Sequence, residues 1–175
     1  HHEQYYEEKV VRLPGCYLCS DNTNAIADLK NTEGEEGCPL ETADFVFCSF
    51  NNTWKITSKE FDIWMRLLQR NPGSILWLRS EINIVIENLQ FQAKARSIDP
   101  DRLIFAKKVD MAAHLARHQK ADLFLDTFAY NAHATALDAL WAGLPVLTMQ
   151  GNSFPSRVGA SVLPAAGIPE LITTS

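Results

Sequence analysis

The amino-acid sequence predicts a parallel, doubly wound α/β sheet of the Rossmann-like class. From residue 44 onward, short apolar runs alternate with longer segments whose apolar residues recur at helical spacing. The runs are apolar throughout rather than alternately polar, as in strands that helices cover on both faces. Strands and helices that alternate in this way form βαβ units, and such units build a parallel sheet.

Five apolar runs are predicted to be strands. Each is short and is bounded by turn-forming or polar residues. They cover residues 45–50, 74–78, 103–105 and 123–125, and a last run begins at Val146. Consecutive runs lie far enough apart for a crossover helix, so we expect each strand to pair in parallel with a neighbour.

Five segments with helical spacing follow these strands. They run from a cap at Thr57 or Ser58 to the turn at 71–73, over 82–96, over 111–118, from His133 to the break at Gly143 and Pro145, and over 154–165. The last is expected to carry Pro155 in its first turn and Arg157 near its start. Residues 172–175 follow a helix-like ending, and we expect the domain to be truncated at its carboxyl terminus.

The chain is expected to divide into an N-terminal segment, residues 1–43, and an α/β domain, residues 44–175. The first part lacks a clear period, and its stretch 5–11 fits either a strand or a short helix. Residues 22–42 are rich in Asn, Glu, Gly and Thr, a composition that predicts a mobile, solvated loop.

Composition restricts the class of partner. The chain has 175 residues, a formal net charge of −5 and 46% hydrophobic residues. An acidic balance argues against nucleic acid, because nucleic-acid binding usually requires a basic surface. No apolar run approaches the ~20 residues of a membrane span, and no secretory signal pattern opens the chain. We therefore expect a cytoplasmic protein that binds neither nucleic acid nor membrane.

The four cysteines lie in the first third of the chain. Cys16 and Cys19 have the C-x-x-C spacing of zinc and redox sites. The sequence contains no second C-x-x-C, and the pair His114 and His118 lacks the Glu of H-E-x-x-H, so free thiols are expected and a zinc site is the alternative. Cys48 lies within the apolar run 45–50 and is expected to be a small core residue.

Polar residues follow three of the predicted strands. They are Asn52 with Lys55, His114 with Arg117, and His133 with Thr135 and Asp138. The carboxyl ends of parallel strands share one edge of the sheet, where ligands bind, so we expect these residues to converge. One lysine, one arginine and two histidines at one edge would neutralise a diphosphate. Each of these residues alone could be an ordinary solvated or helix-end residue, and only their shared placement indicates a site.

The helix that begins at His133 indicates a phosphate site most directly. A helix N-terminus offers free backbone N–H groups and a positive dipole end. His133 and Thr135 add side-chain donors, and Asp138 could accept hydrogen bonds from a ribose. The sequence contains neither G-x-G-x-x-G nor G-x-x-x-x-G-K-[ST], which argues against a dehydrogenase and against a P-loop protein.

Residues 121–151, which include NAHATALDALWAGLPVLT, closely resemble the carboxyl-terminal half of the O-GlcNAc transferase/SPINDLY-like group, glycosyltransferase family 41. Further stretches carry the same resemblance and occur in the family's order. They are FNNTWKI (50–56), SILWL (74–78), DPDRL (99–103) and SRVGAS (156–161), and the likeness extends back through VRLP (11–14). The resemblance therefore covers nearly the whole chain.

The resemblance implies the second, Rossmann-like domain of a GT-B glycosyltransferase, which holds the nucleotide of a sugar donor. In animal and many bacterial-type members the donor is UDP-GlcNAc and the acceptor is a protein Ser or Thr hydroxyl. The plant SPINDLY branch instead resembles a GDP-fucose-dependent protein O-fucosyltransferase. The implied transfer is inverting and independent of metal, and no cofactor is expected.

The resemblance also implies roles for individual residues. Lys55 would contact the donor diphosphate and act in catalysis, with Asn52 beside it. His114 and Arg117 would flank the uracil and the phosphates. The start of the helix would hold the diphosphate and the ribose through a group made up of His133, Ala134, Thr135 and Asp138.

Three positions depart from the animal enzymes. Asn52 replaces a longer amide, Ala134 replaces a second hydroxyl residue, and Met111 replaces a lysine that contacts the nucleotide. The family's amino-terminal catalytic half, its tetratricopeptide repeats and the acceptor groove are expected to lie outside this chain. We therefore expect a glycosyltransferase whose isolated fragment is inactive. A module that only binds a nucleotide sugar or a partner is the alternative.

Overall fold

The structure is a computed structural model that describes residues 3–28, 40 and 42–174. Its centre is a sheet of six parallel strands. The strands are β1 (Phe45–Ser49), β2 (Ser74–Arg79), β3 (Leu103–Ala106), β4 (Leu123–Leu125), β5 (Val146–Met149) and β6 (Ile172–Thr173). Their spatial order is β3-β2-β1-β4-β5-β6. This is the doubly wound order of a Rossmann-like fold, and it confirms the predicted fold class.

Helices connect the successive strands. They are α1 (Ser58–Arg70), α2 (Asn83–Lys94), α3 (Met111–His118), α4 (Ala134–Trp141) and α5 (Val158–Ala165). Short 3-10 helices accompany them at Glu3–Tyr5, Thr53–Lys55, Pro100–Arg102 and Pro169–Leu171. In the part of the chain that the structure describes, no helix is long and apolar enough to cross a bilayer.

The core lies on both faces of the sheet, as the wholly apolar strands predicted. One cluster surrounds Phe50, Trp77 and Phe124, and the other surrounds Trp64 and Leu76. Cys48 is completely buried in the first cluster, which confirms its assignment to the core. Because α1 presents Phe61, Trp64, Met65 and Leu68 to the sheet at helical spacing, its sequence pattern was easily recognised.

One predicted element near the carboxyl end is wrong. Helix α5 begins at Val158 rather than at residue 154, and Pro155 lies in the preceding loop. The reason is a turn in which the Ser156 hydroxyl donates to the Ser153 carbonyl (2.9 Å) and the Gly151 N–H donates to the Ser156 carbonyl (2.8 Å). The helix-like ending before residue 172 is the 3-10 helix Pro169–Leu171. It is followed by β6, a two-residue edge strand too short to show a period in the sequence.

The N-terminal segment lies against the α/β domain. The Ala27 N–H donates to the Ala112 carbonyl (3.1 Å), and the Trp141 indole N–H donates to the Asn24 carbonyl (3.0 Å). Within the ambiguous stretch 5–11, only Tyr5 belongs to a regular element, the 3-10 helix Glu3–Tyr5. Most of the predicted mobile loop, at residues 29–39 and 41, lies outside the described residues.

The contact between α5 and β5 generates a stability prediction. A Cβ at Gly159 would lie 2.5 Å from Thr148 Oγ1 and 2.9 Å from its Cγ2. We expect Gly159→Ala to lower the free energy of unfolding by about 1–2 kcal/mol. Overpacking costs about 1–3 kcal/mol, whereas the higher helix propensity of alanine regains at most about 1 kcal/mol. Urea denaturation measures this change.

A double-mutant cycle with Thr148→Ala tests the cause. Thr148→Ala removes the atoms that the new Cβ would crowd. The double variant should therefore lose less stability than the sum of the losses in the two single variants. Additive effects would show that Gly159 is required for another reason.

Candidate functional site

The candidate site lies where the strand order reverses, between β1 and β4. The chain adds β2 and β3 on one side of β1 and then crosses to β4 on the other side. Loops that leave the carboxyl ends of neighbouring strands diverge at such a point and leave a crevice between them. Here the loops after β1, β3 and β4 surround the crevice, and α4 begins beside it.

A pocket of about 240 Å³ opens in this crevice. Its lining contains four of the predicted site residues, together with three basic residues that the sequence analysis did not indicate. The lining residues are Phe50, Arg79, Lys107, Lys108, Val109, Met111, His114, Arg117, Thr135 and Asp138. Four cations around one small pocket favour an anionic ligand.

Arg117 both charges and shapes this pocket. It is 8% exposed, and its Nη1 donates to the Lys107 carbonyl at 2.9 Å. Its guanidinium lies 5.8 Å from the centre of the Phe50 ring. The side chain therefore fixes the loop after β3, which carries Lys107 and Lys108, as well as adding positive charge.

His114 is a neutral group within this basic environment. Burial, together with charge repulsion from His118, Arg117 and Arg79, lowers its pKa to about 3. His114 also accepts a hydrogen-bond contact at its carbonyl from His118 Nδ1 (2.8 Å). A neutral imidazole offers one donor and one acceptor, which suits the edge of a heterocyclic base better than a phosphate.

Asp138 and Thr135 project from α4 into the same pocket. Asp138 lies one turn beyond Ala134, and burial raises the pKa of its carboxyl above the usual value. It is the only acid in a lining with four cations, so it can accept hydrogen bonds from hydroxyl groups of a ligand.

Lys55 lies in the loop after β1 and points across the sheet towards the loop after β4. Its ammonium donates to the Asn131 carbonyl at 3.1 Å and contacts Asn51 Oδ1 at 3.4 Å. It also lies 4.3 Å from the centre of the Tyr130 ring. Burial lowers the pKa of Lys55, while the negative charge of Asp126 opposes that effect. The ammonium is thus held by three groups and only partly solvated.

His133 occupies the N-cap position of α4, as predicted. Its ring stacks on Tyr130 with centroids 4.8 Å apart, and burial lowers its pKa. Among the described residues its buried Nε2 finds no hydrogen-bond partner. A buried ring nitrogen without a partner costs free energy unless a ligand or water satisfies it. Ala134, the next residue, is exposed at the start of the helix.

Asn52 is exposed, and its side chain does not cap the 3-10 helix that follows it. The neighbouring Asn51 is 2% exposed and makes the amide contact with Lys55. The Nδ2 of Asn51 also donates to Thr127 Oγ1 (3.3 Å). The structure therefore brings the side chain of Asn51, rather than that of Asn52, against the Lys55 ammonium, and Asn52 instead accepts from the Lys55 backbone N–H at its carbonyl (3.0 Å).

The loop between β4 and α4 owes its shape to the buried carboxylate of Asp126. Its Oδ1 accepts from the backbone N–H of Thr127 (2.8 Å) and of Ala132 (2.5 Å), and its Oδ2 accepts from Thr148 Oγ1 (2.6 Å). Burial raises the pKa of Asp126 to about 6, although its hydrogen bonds and Lys55 oppose that rise. The carboxylate ties both ends of the loop to β5.

A second buried carboxylate supports the middle of the same loop. Glu60 is 1% exposed, and its Oε1 accepts from the backbone N–H of Phe128 at 2.8 Å. Its Oε2 accepts from the Thr57 hydroxyl, which joins it to the start of α1. The Asn131 Nδ2 donates to the Thr127 carbonyl (2.7 Å) and closes the loop from within.

Sequence reasoning missed several of these residues for two different reasons. Arg79 ends β2, and Lys107 with Lys108 directly follows β3, so the rule that identified the other polar clusters could also have found them. Asp126 directly follows β4, so the same rule could have found it as well. Glu60 lies far in the chain from the Phe128 N–H that it holds, and no short motif signals such a long-range contact.

Among the described residues, no group of three His, Cys, Asp or Glu side chains is placed to hold a metal ion. The described cysteines Cys16, Cys19 and Cys48 are free thiols. Cys38 lies outside the described residues.

Comparison with known proteins gives consistent matches. Residues 32–175 match the family model for glycosyl transferase family 41. A UDP-N-acetylglucosamine–peptide N-acetylglucosaminyltransferase from Caenorhabditis elegans is 40% identical over 127 residues, which cover 73% of this chain and 11% of that protein. A probable enzyme of the same name, SEC from Arabidopsis thaliana, is 32% identical over 168 residues, which cover 93% of this chain and 17% of that protein.

A solved structure gives the same result. A mutant of the O-GlcNAc transferase from Thermobaculum terrenum superposes with a TM-score of 0.72 at 30% identity. The match covers 76% of this chain and 26% of that chain. The present chain thus spans less than a fifth of the length of both curated relatives and about a quarter of that structure.

The carboxylate of Asp126 generates a second stability prediction. We expect Asp126→Ala to lower the free energy of unfolding by about 2–4 kcal/mol, because it leaves two buried N–H groups and one hydroxyl without an acceptor. Asp126→Asn keeps one acceptor oxygen and should cost less than half as much. The control is Asp62→Ala, which removes a partly exposed ion pair with Arg96 and should cost about 1 kcal/mol or less. Equal losses in all three variants would contradict this role of Asp126.

The low pKa of His114 predicts how stability depends on pH. The unfolded chain binds a proton at this histidine below about pH 6.5, whereas the folded protein does so only near pH 3. His114 therefore contributes stability that is complete above pH 6.5 and is lost as the pH falls. Asp126 has the opposite effect, because its raised pKa favours the folded state as the pH falls from about 6 towards 4.

Thermal unfolding from pH 7.5 to pH 5 separates these two effects. His114→Gln should make the melting temperature fall less on acidification than it does in the wild type. Asp126→Asn should make it fall more. A His114→Gln profile parallel to that of the wild type would show that this histidine does not remain neutral in the folded protein.

Proposed function

The chain belongs to glycosyltransferase family 41, and we propose that it forms the donor-binding domain of an inverting protein O-glycosyltransferase that uses UDP-GlcNAc. The names of the C. elegans and Arabidopsis relatives state this donor and a peptide acceptor. The activity is proposed for a longer enzyme that contains the chain, and the isolated chain would bind the donor without transferring the sugar. The same proposal places that enzyme in the cytoplasm.

The observation that carries the proposal is a basic pocket that continues into a helix N-terminus at the topological switch point. Arg79, Lys107, Lys108 and Arg117 line the pocket, and α4 begins beside it. The first turn of α4 presents N–H groups that the helix itself does not use, and its dipole favours negative charge. A diphosphate bound there would meet Lys55 on one side and His133 on the other.

The rest of a nucleotide fits the remaining lining. In the proposed arrangement, the neutral His114 and the backbone of the loop after β3 face the uracil. Asp138 accepts hydrogen bonds from the ribose hydroxyls, and Thr135 donates to a phosphate. A pocket of about 240 Å³ accommodates a base and part of a ribose but not a whole nucleotide sugar, so the diphosphate and sugar extend towards Lys55.

The chemistry follows from the charge that develops on the leaving group. The acceptor hydroxyl oxygen attacks the anomeric carbon from the face opposite the diphosphate, and the hydroxyl proton passes to a base. The bond between the anomeric carbon and the phosphate oxygen breaks, and its electron pair stays on the nucleoside diphosphate. Lys55, His133 and the start of α4 stabilise that charge, which lowers the barrier. The acceptor groove and the base belong to the other domain in this proposal.

The experiment is calorimetric titration of the purified chain with UDP and, separately, with GDP, in buffer without divalent metal. We expect UDP to bind, and Lys55→Ala to weaken it by about tenfold or more, because a charge-assisted contact contributes about 1.5–3 kcal/mol. His133→Ala should weaken it as well. Lys94→Ala is the matched control, because Lys94 is exposed in the last turn of α2, at the opposite edge of the sheet.

Each outcome has a clear meaning. Binding of UDP that Lys55→Ala reduces and Lys94→Ala leaves unchanged supports the proposed donor site. Preference for GDP would replace UDP-GlcNAc with a guanosine donor such as GDP-fucose. An absence of binding by either nucleotide would contradict the proposal that the chain is a donor-binding domain on its own.

A further inference from the structure

We propose that Tyr130 is the positioning residue of the donor site, because its ring fixes the Lys55 ammonium beside His133. This inference rests on the proposed function of Lys55 as the ligand of the diphosphate. Tyr130 lies in the loop between β4 and α4, three residues before the N-cap. It was not among the residues that the sequence indicated.

The Tyr130 ring contacts both groups that are proposed to face the diphosphate. Its centre lies 4.3 Å from Lys55 Nζ, within the range of a cation–π interaction. The ring also stacks on His133 at 4.8 Å with an interplanar angle of 22°. In the described part of the chain, no other aromatic ring contacts both residues. Tyr130 therefore connects the two sides of the diphosphate site.

The ring is needed because the other contacts of Lys55 hold it weakly. Of its two oxygen partners, Asn131 O lies at 3.1 Å and Asn51 Oδ1 at 3.4 Å, which is long for a hydrogen bond. A lysine side chain has several rotatable bonds and loses considerable entropy when it is fixed. The face of Tyr130 closes the third side, so the ammonium is already oriented when the diphosphate arrives.

Trp54 supports Tyr130 rather than replacing it. Its ring meets Tyr130 edge-on at 5.5 Å but lies 5.8 Å from the Lys55 ammonium, near the limit for a cation–π contact. Trp54 is also 68% exposed, so water competes for its surface. Tyr130 is less exposed, at 37%, and its ring is closer to the ammonium, so it is the principal cation–π partner of Lys55.

The Tyr130 side chain can be changed without removing the hydrogen bonds that shape its loop. The Tyr130 carbonyl accepts from Thr127 Oγ1 at 2.6 Å, and the side chains of Asp126, Glu60 and Asn131 hold the rest of the loop. All of these contacts use the backbone of the loop. A side-chain substitution at this position therefore tests the ring itself.

The experiment compares Tyr130→Phe with Tyr130→Leu. Phenylalanine keeps the aromatic face, whereas leucine keeps the apolar bulk but loses the negative face of the ring. We expect Tyr130→Phe to bind UDP within about twofold of the wild type, and Tyr130→Leu to bind about three- to tenfold more weakly. The matched control is Phe128→Leu, which removes a neighbouring ring that lies 5.8 Å from a different lysine, Lys59. It should leave UDP binding unchanged.

A second readout does not require nucleotide. The ε-methylene protons of Lys55, assigned in NMR spectra with a Lys55→Arg variant, should show an upfield ring-current shift that Tyr130→Phe keeps. Tyr130→Leu should lower the pKa of Lys55 relative to the wild type, because the apolar cover remains while the ring that favours the charged form is lost. A role in packing alone predicts an unchanged pKa.

The two readouts separate this inference from the proposed function. If the wild type does not bind UDP, the proposed function fails. The ring-current shift of the Lys55 ε-methylene protons and the pKa of Lys55 then still decide whether Tyr130 holds the lysine. If UDP binds and Tyr130→Leu matches the wild type in affinity and in the Lys55 pKa, Tyr130 is not the positioning residue. Weaker binding together with a lowered Lys55 pKa in Tyr130→Leu alone supports the inference.

Discussion

The site depends on one buried carboxylate, that of Asp126. It receives two backbone N–H groups from the loop between β4 and α4 and a hydroxyl from Thr148 on β5. Those three bonds decide where α4 begins and which way its first turn faces. The positions of Tyr130, Asn131 and His133 follow from that geometry, and the orientation of Lys55 follows from theirs. Asp126 does not line the pocket, yet the arrangement of the proposed diphosphate site requires it.

Burial of this carboxylate has an electrostatic cost that the site partly offsets. Desolvation raises the pKa of Asp126, and the nearby ammonium of Lys55 opposes the rise. The same pairing keeps the half-buried lysine charged although its own desolvation favours the neutral form. A charged lysine is what a diphosphate requires. The carboxylate that shapes the loop therefore also supports the protonation state on which the proposed chemistry depends.

The sequence predicted the sheet and the edge of the site because both depend on local patterns. Short windows of sequence show wholly apolar runs, helix stops and polar residues directly after strands. Four of the residues predicted in this way, His114 and Asp138 among them, line one pocket. The start of α5 was wrong because the turn around Ser156 depends on hydroxyl contacts rather than on a period. Asp126 was missed because its importance lies in the shape it gives to its own loop and to the contact of that loop with β5. Tyr130 was missed because its contact with Lys55 arises only when the loop after β1 meets the loop after β4.

Burial also divides the crevice into two electrostatic parts. At one end, His114 stays neutral because it is desolvated beside Arg117 and Arg79, so this end can pair with the donor and acceptor groups of a base. At the other end, Lys55 keeps its charge next to Asp126 and the N-terminus of α4. A ligand that is neutral at one end and doubly anionic at the other matches this division. In the proposed function, desolvation as well as the placement of charged residues would therefore orient a bound nucleoside diphosphate.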